Sequence, residues 1–536
     1  MNSVIGRFTL RRVSLGAIVF GLFAAVESMA QGLGIIAAYP DVAERAKVVN
    51  GLASNAALGL FYGDRHADII SGSGYMVYRI LPVLGLVGAI WGLMFITKML
   101  RGQEENGRWE LLLTGQTSAA GATAKTILGA SGGLVITFVL VALTLVLVGQ
   151  GDKLPLSLSG SLVYSLAVIA GAAVAIGIGA VTSQLAATRR RAVLYGLIPI
   201  VLFFMVRSIG NVVDSLAWLK NLTPFGWIDK IHPFQSAQPI WLLPIAIVAL
   251  AGCGLGVWLA GGRDIGASFV ADSGSAKPAF GLLNSQLGFG VRLIRGVMTG
   301  WLLASVAIAA IVAAVDKTVA NSLSDTNSFT QTFSNLTGNP QAQFEIAYLS
   351  AASYIIVTIL MVMVTAGMAA VREEEASSRL DNFVSGTISR QYWLATRLAL
   401  LLGGAAIITV VSNLAVWAVA ATQDIHVSLA TMLVGGLNVL GPVVLLLGLG
   451  VLLFGMLPRI TTIAMYVLIA WSFTIDIVAS ALKTSATVAN TSLLHYVSLV
   501  PAANPNWKSF TILTVAGLAL MGLGIMAFQY RDLKVE

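Results

Sequence analysis

The chain has 536 residues, of which 57% are hydrophobic and only 10% charged, with a strongly positive mean hydropathy and a formal net charge of +8. So little charge cannot clothe a water-soluble domain of this size, and the composition excludes a soluble enzyme or binding module in favour of a chain that lives in a bilayer. The single cysteine, Cys253, falls in an apolar run, which excludes a disulfide framework and a thiol pair for metal or redox work.

Twelve apolar runs of roughly 20 residues follow one another, each long enough to cross a ~30 Å hydrocarbon core as a helix. Asn2 to Arg12 mixes apolar residues with arginine and suits a short helix lying in the interface. The first run, near 13 to 36, lacks a small-residue cleavage site after a short apolar core, so it is expected to stay as a helix. A long polar segment from Ala37 to Tyr75 leads to a run at 76 to 98, a charged stretch at 99 to 122, and runs at 123 to 149, 159 to 183, 193 to 213 and 240 to 260. A connector at 261 to 292, rich in Gly, Ser and Ala and carrying Pro278, then opens onto a second interfacial stretch, Asn284 to Arg295. The remaining runs lie near 296 to 316, 346 to 371, 396 to 421, 429 to 455, 461 to 481 and 509 to 529, with Lys317 to Glu345 as a second long segment and a charged stretch at 372 to 395.

The two halves, 1 to 260 and 293 to 536, look like copies. Arg101, Glu104, Arg108, Gly115 and Ser118 recur 271 residues later as Arg372, Glu375, Arg379, Gly386 and Ser389, with Glu110 answered by Asp381. The same offset pairs Ser157-Leu158 with Ser428-Leu429, Gly177 and Gly179 with Gly448 and Gly450, and Tyr195 with Tyr466. An even number of spans per copy makes the repeat parallel, about an axis along the membrane normal. The expected fold is an all-α polytopic membrane protein of about 12 transmembrane helices in two six-helix halves. With both termini cytoplasmic, roughly two thirds of the 32 lysines and arginines fall on the inner side, Arg189-Arg190-Arg191 most sharply, as short loops require. That bias toward an anionic inner leaflet of the cell membrane accounts for the net charge without a nucleic-acid partner.

The duplicated charged stretch carries the clearest functional signal. Arg101, Glu104, Glu105 and Arg108 fall at helical spacings of three and four, which predicts ion pairs along one exposed face offered to a soluble partner. A solvated loop anchored by positive charge is the plainer alternative, and two copies keeping both signs weigh against it. In the second copy Arg372, Glu374, Glu375, Arg379 and Asp381 hold the corresponding places, but Ala376-Ser377-Ser378 and Asn382-Phe383 depart from the first, so the two surfaces are expected to differ.

The run Arg101 to Ser118, an Arg-x-x-Glu-Glu-x-Gly-Arg-x-Glu-Leu-Leu arrangement followed by Gly and Thr-Ser, resembles the loop after the second helix of ABC-2 type exporter permeases. The closest likeness is to the fused two-half permeases of tetronasin-like polyketide antibiotic and multidrug exporters, which Tyr39-Pro40, Glu44-Arg45, Asn55-Ala56-Ala57-Leu58 and Tyr62-Gly63 also fit. The resemblance implies that each charged stretch is a coupling helix docking on a separate ATP-hydrolysing subunit, present in two copies, which binds the ATP and Mg. No Gly-x-x-x-x-Gly-Lys-Ser/Thr phosphate loop occurs in this chain, so no cofactor is expected within it.

The route of a cargo is less legible. Glu27, Arg207 and Asp476 sit within apolar runs, where ionisable groups are costly, and they either face a substrate cavity or pair as structural polar glue. Trp91, Phe204 and Trp301 are candidates for an apolar cavity wall, with packing as their alternative role. The histidines show no metal-ligand spacing and no catalytic constellation is visible. An exporter of hydrophobic compounds, including antibiotics and drugs, is the leading reading. A proton-driven secondary multidrug transporter, using Glu27 or Asp476 as proton carriers, is the alternative.

Overall fold

A computed structural model describes residues 4–54, 59–63, 68–113, 117–235, 237–270, 281–283, 285–323, 346, 349–376, 380, 388–423, 425–482 and 490–531. All regular structure among the described residues is helical, as the apolar runs predict. Among the described residues eleven helical spans are long and apolar enough to cross a membrane, which makes this an all-α polytopic membrane protein. The remaining expected span, 461 to 481, coincides with a helix at Thr461–Leu482, whose described apolar stretch runs from Thr461 to Phe473. The chain divides into two compact units, Met1–Ala276 and Lys277–Glu536, with the division inside the expected connector.

The first unit runs α1 (Val4–Ala38), α2 (Val42–Ser54), α3 (Gly72–Met99), α4 (Arg101–Glu105), α5 (Arg108–Leu113), α6 (Ala119–Val148), α7 (Leu158–Leu185), α8 (Arg189–Val212), α9 (Pro224–Asp229) and α10 (Leu242–Gly261). The second runs α11 (Gln286–Leu323), α12 (Ala351–Ala376), α13 (Arg390–Ala421), α14 (Leu429–Asn438), α15 (Leu440–Met456), α16 (Thr461–Leu482) and α17 (Trp507–Tyr530). Neither interfacial stretch forms a separate helix. Residues from Val4 and from Gln286 instead continue unbroken into α1 and α11, because no proline interrupts either stretch and an established helix propagates.

The fourth span of the second unit divides into α14 and α15, against the single helix expected over 429 to 455. Pro442 explains the break: it has no N–H for the Asn438 carbonyl, and its ring crowds that carbonyl. Serines paired at the 271-residue offset turn out to be helix caps. Ser118, Ser157, Ser389 and Ser428 accept the backbone N–H of Gly121, Gly160, Tyr392 and Thr431, satisfying donors that helix starts leave free.

The same partners pack in each unit. In the first, α1 lies on α6, α3 on α7, and α7 on α10; in the second, α11 lies on α13, α12 on α15, and α15 on α17. Gly177 and Gly448, paired at the 271-residue offset, let helices approach closely. A Cβ on Gly177 would sit 2.8 Å from the Ala249 carbonyl oxygen, and one on Gly448 would sit 2.3 Å from that of Gly517, so both seams need backbone-to-backbone contact. Phe20, Leu84, Tyr164 and Val168 anchor the first core; Leu360, Val364, Val443, Leu447 and Phe454 anchor the second.

Candidate functional site

The charged stretch after α3 folds as two short helices. Leu100 leaves helical geometry with φ −93° and ψ −87°, ending α3, and Gly107 takes φ +68° between α4 and α5, a left-handed turn that glycine adopts without strain. These two turns set the direction of every side chain in the element and overturn the single exposed charged face expected from spacing. Arg101 and Glu104 point inward, with side chains 3% and 5% exposed, whereas Glu105, Arg108 and Glu110 are exposed. Trp109 is buried beneath α5 and donates its indole N–H to the Met99 carbonyl at 3.4 Å. The Leu111 to Leu113 side chains lie outside the described residues.

Glu104 is held by Arg263, just beyond the end of α10. Both Arg263 terminal nitrogens donate to its two oxygens at 2.6 Å, a fork-on-fork pair, and the Gly266 N–H adds a bond of 2.7 Å. Arg101 stands 3.2 Å from the same carboxylate and donates to the carbonyls of Ala187, Gly266 and Ala267. Burial alone would raise the Glu104 carboxyl. The Arg263 hydrogen bonds, the Gly266 N–H and the charges of Arg263 and Arg101 outweigh it and hold the group below its ordinary value. Glu105 accepts the Arg189 backbone N–H at 2.8 Å, and Arg108 reaches Gln103 at 3.3 Å.

In the second unit α12 continues unbroken through Arg372, Glu374 and Glu375, so the expected loop at 372 to 395 begins inside a helix. Glu375 is buried and accepts both its bonds from Arg531, at 2.6 and 2.8 Å. Arg531 directly follows α17, packs over the rings of Phe454 and Phe528, and accepts a bond from Arg390 on its carbonyl. Each unit therefore ties a glutamate of the charged stretch to an arginine at the end of its own last helix. Glu374 faces inward to Arg397 at 2.9 Å, and Arg372 donates to the Arg459 carbonyl at 3.2 Å. Arg379 and Asp381 lie outside the described residues.

Sequence reasoning missed Arg263 and Arg531 because an arginine beside an apolar helix end is an ordinary topological charge. The available signal was their position: each comes one or two residues after the last helix of its half, 268 residues apart against 271 for their glutamates.

Within the first unit, Arg207 with Phe204, Glu27 and Trp91 each keep separate partners. Arg207 is fully buried and donates to Asp229 at 2.6 Å, to the Leu60 carbonyl at 3.4 Å and to the Tyr62 carbonyl, with Asn211 completing the network. Phe204 packs edge-on to Phe225 in this same cluster, which binds the 59 to 63 segment to α8 and α9. Glu27 is half-buried and accepts from Gln31 at 2.8 Å, and Trp91 stacks between Phe20 and Phe95. Trp301 lines a cavity within the second unit. The Asp476 side chain lies outside the described residues, as does most of the segment Lys317 to Glu345.

The family model of the multidrug efflux system permease Rv1217c, C-terminal domain, matches residues 70–259 and 283–529. The multidrug efflux system permease protein Rv1217c of Mycobacterium tuberculosis (strain ATCC 25618 / H37Rv) is 26% identical over 507 residues, covering 92% of this chain and 88% of that relative. Both stretches matched by the family model hold a charged element with its inward glutamate, and by that match the chain belongs to the Rv1217c multidrug efflux permease family.

Proposed function

We propose that this chain is the membrane-spanning permease of an ATP-driven ABC exporter of the ABC-2 type, moving hydrophobic or amphipathic drugs out of the cell. Its motor is a separate ATPase subunit in two copies, which binds the ATP and Mg and docks on the two charged elements, with both termini cytoplasmic. One observation carries the reading: in each unit a glutamate of the charged element is locked to the arginine that follows the last helix, Glu104 to Arg263 and Glu375 to Arg531. An element so tied is built to pass a load into the membrane helices, while Glu105, Arg108 and Glu110 remain exposed for a partner. The drug-efflux name of the relative supports the cargo class.

The test is gentle purification from the native membrane with mass identification and stoichiometry of whatever accompanies the chain, followed by transport in vesicles. Two copies of a phosphate-loop ATPase per chain and ATP-dependent export are the expected result. A chain that purifies alone and transports on a proton gradient without ATP would overturn it in favour of a secondary transporter. Glu27, which has no cationic partner among the described residues, would then be the first proton carrier to test.

A further inference from the structure

The second unit encloses a cavity of about 170 Å³ between α11, α12 and α13. Its walls are apolar, with Met298, Trp301, Met363 and Leu401 among them, and at one end stand Glu374 and Arg397. Arg397 is 4% exposed. Only its Nη2 is bonded to an acceptor, Glu374 at 2.9 Å; its Nε and Nη1 are buried and find no acceptor among the described residues. Buried donors without partners are costly, more so when charged, so two on one guanidinium beside an apolar cavity call for a ligand.

The first unit is built differently at the same places. Thr126, Gly129 and Ala130 stand where the second unit has Arg397, Leu400 and Leu401. The Thr126 hydroxyl is satisfied by the Ala122 carbonyl at 2.9 Å, and a Cβ on Gly129 would lie 2.7 Å from the Gly6 carbonyl oxygen, so α1 and α6 meet there directly. Arg397 is therefore not a requirement of the shared helix packing.

We propose that this cavity binds an amphiphile whose hydrocarbon lies along Met298, Trp301, Met363 and Leu401, and whose head presents acceptor oxygens to Arg397 Nε and Nη1. Glu374 already offsets the arginine charge, so the unmet need is for acceptor oxygens. Ester and carboxylate heads supply them, and a quaternary ammonium head supplies none. The site needs neither the ATPase nor a direction of transport.

The test uses the full chain in nanodiscs and reads fluorescence quenching of Trp301, taken as the difference from Trp301→Phe. The probes are ω-bromodecanoate, its methyl ester, and ω-bromodecyl trimethylammonium. The first two should quench saturably and the third should not. In Arg397→Gln/Glu374→Gln, which leaves no lone charge, the half-quenching concentration should rise about ten- to a hundredfold, the loss of one hydrogen-bonded charged partner. Ala366→Leu should raise it similarly by filling the cavity with the ion pair intact. Equal quenching by all three heads, or no change in both variants, would overturn the site. Nanodiscs of brominated phosphatidylcholine identify the source: quenching that depends on Arg397 assigns the occupant to the bilayer, and quenching by the free probes alone assigns it to an amphiphile from solution.

Discussion

Replacing Glu104 by Gln removes the charge on which Arg101, Arg263 and the Gly266 N–H converge, at 3.2, 2.6 and 2.7 Å. The side chains of Arg101, Glu104 and Arg263 are 3%, 5% and 10% exposed, so solvent cannot compensate the arginines left behind. Removing one partner of a buried pair costs about 3–5 kcal/mol, and at about 1.4 kcal/mol per decade the segment after α10 should open roughly a hundred- to a thousandfold more often. Hydrogen exchange of peptides covering 99 to 113 and 262 to 270, on the chain in nanodiscs, reads this directly. Because the carboxyl is held below its ordinary value, the tie is complete at neutral pH and weakens as acid protonates it. Arg263→Gln in the same chain should recover much of the protection, since it takes away one of the stranded cations. Exchange within about threefold of the starting chain in Glu104→Gln, or a double variant that loses the sum of both single losses, would refute a coupled buried pair.

Glu105→Lys with Arg108→Glu alters exposed groups whose only described bonds are to the Arg189 N–H and Gln103, and should weaken co-purification of the proposed ATPase subunit while leaving exchange in 262 to 270 unchanged. Two glycines inserted after Gly262 should preserve the ion pair but slacken the connection to α10, so that ATP hydrolysis continues and transport falls. Gly448→Ala forces a Cβ against the Gly517 carbonyl and should destabilise by about 1–3 kcal/mol in thermal unfolding, whereas Gly522→Ala, with nothing within 4 Å, should be neutral or gain about 0.5–1 kcal/mol. Arg207→Gln should cost about 3–5 kcal/mol locally by stranding Asp229, seen as faster exchange at 59 to 63 with α3 and α4 unaffected.

The helices were legible because a bilayer imposes apolar runs of fixed length. The break at Pro442 was written in the sequence and still hidden, since an apolar run continues straight across it. What could not be read was which way Glu104 points. Helical spacing places Arg101, Glu104, Glu105 and Arg108 along one face; the turn at Leu100 re-aims α4 so that Arg101 and Glu104 face the protein and the neighbouring Glu105 faces out, and Gly107 turns Arg108 onto a separate helix. For Arg207 the sequence left a cavity wall and structural polar glue both open; only the folded chain brings Asp229 and the carbonyls of Leu60 and Tyr62 around it and shows the pairing.

The two units do not shape their charged elements alike, and that difference identifies what matters in them. The first breaks its helix at Leu100 and turns at Gly107; in the second, α12 runs on through Glu375. Both nevertheless deliver one glutamate to the arginine behind the last helix, through paired bonds of 2.6 to 2.8 Å. The last helix in turn meets the fourth span backbone to backbone, Gly252 on Gly177 in the first unit and Gly517 and Gly524 on Val444 and Val451 in the second. A load applied to either element thus has short contacts to follow: carboxylate to guanidinium, then backbone to backbone along the glycine seam. That two differently shaped elements both reach the arginine behind the last helix is the physical ground for the proposal that a motor acts on the charged elements.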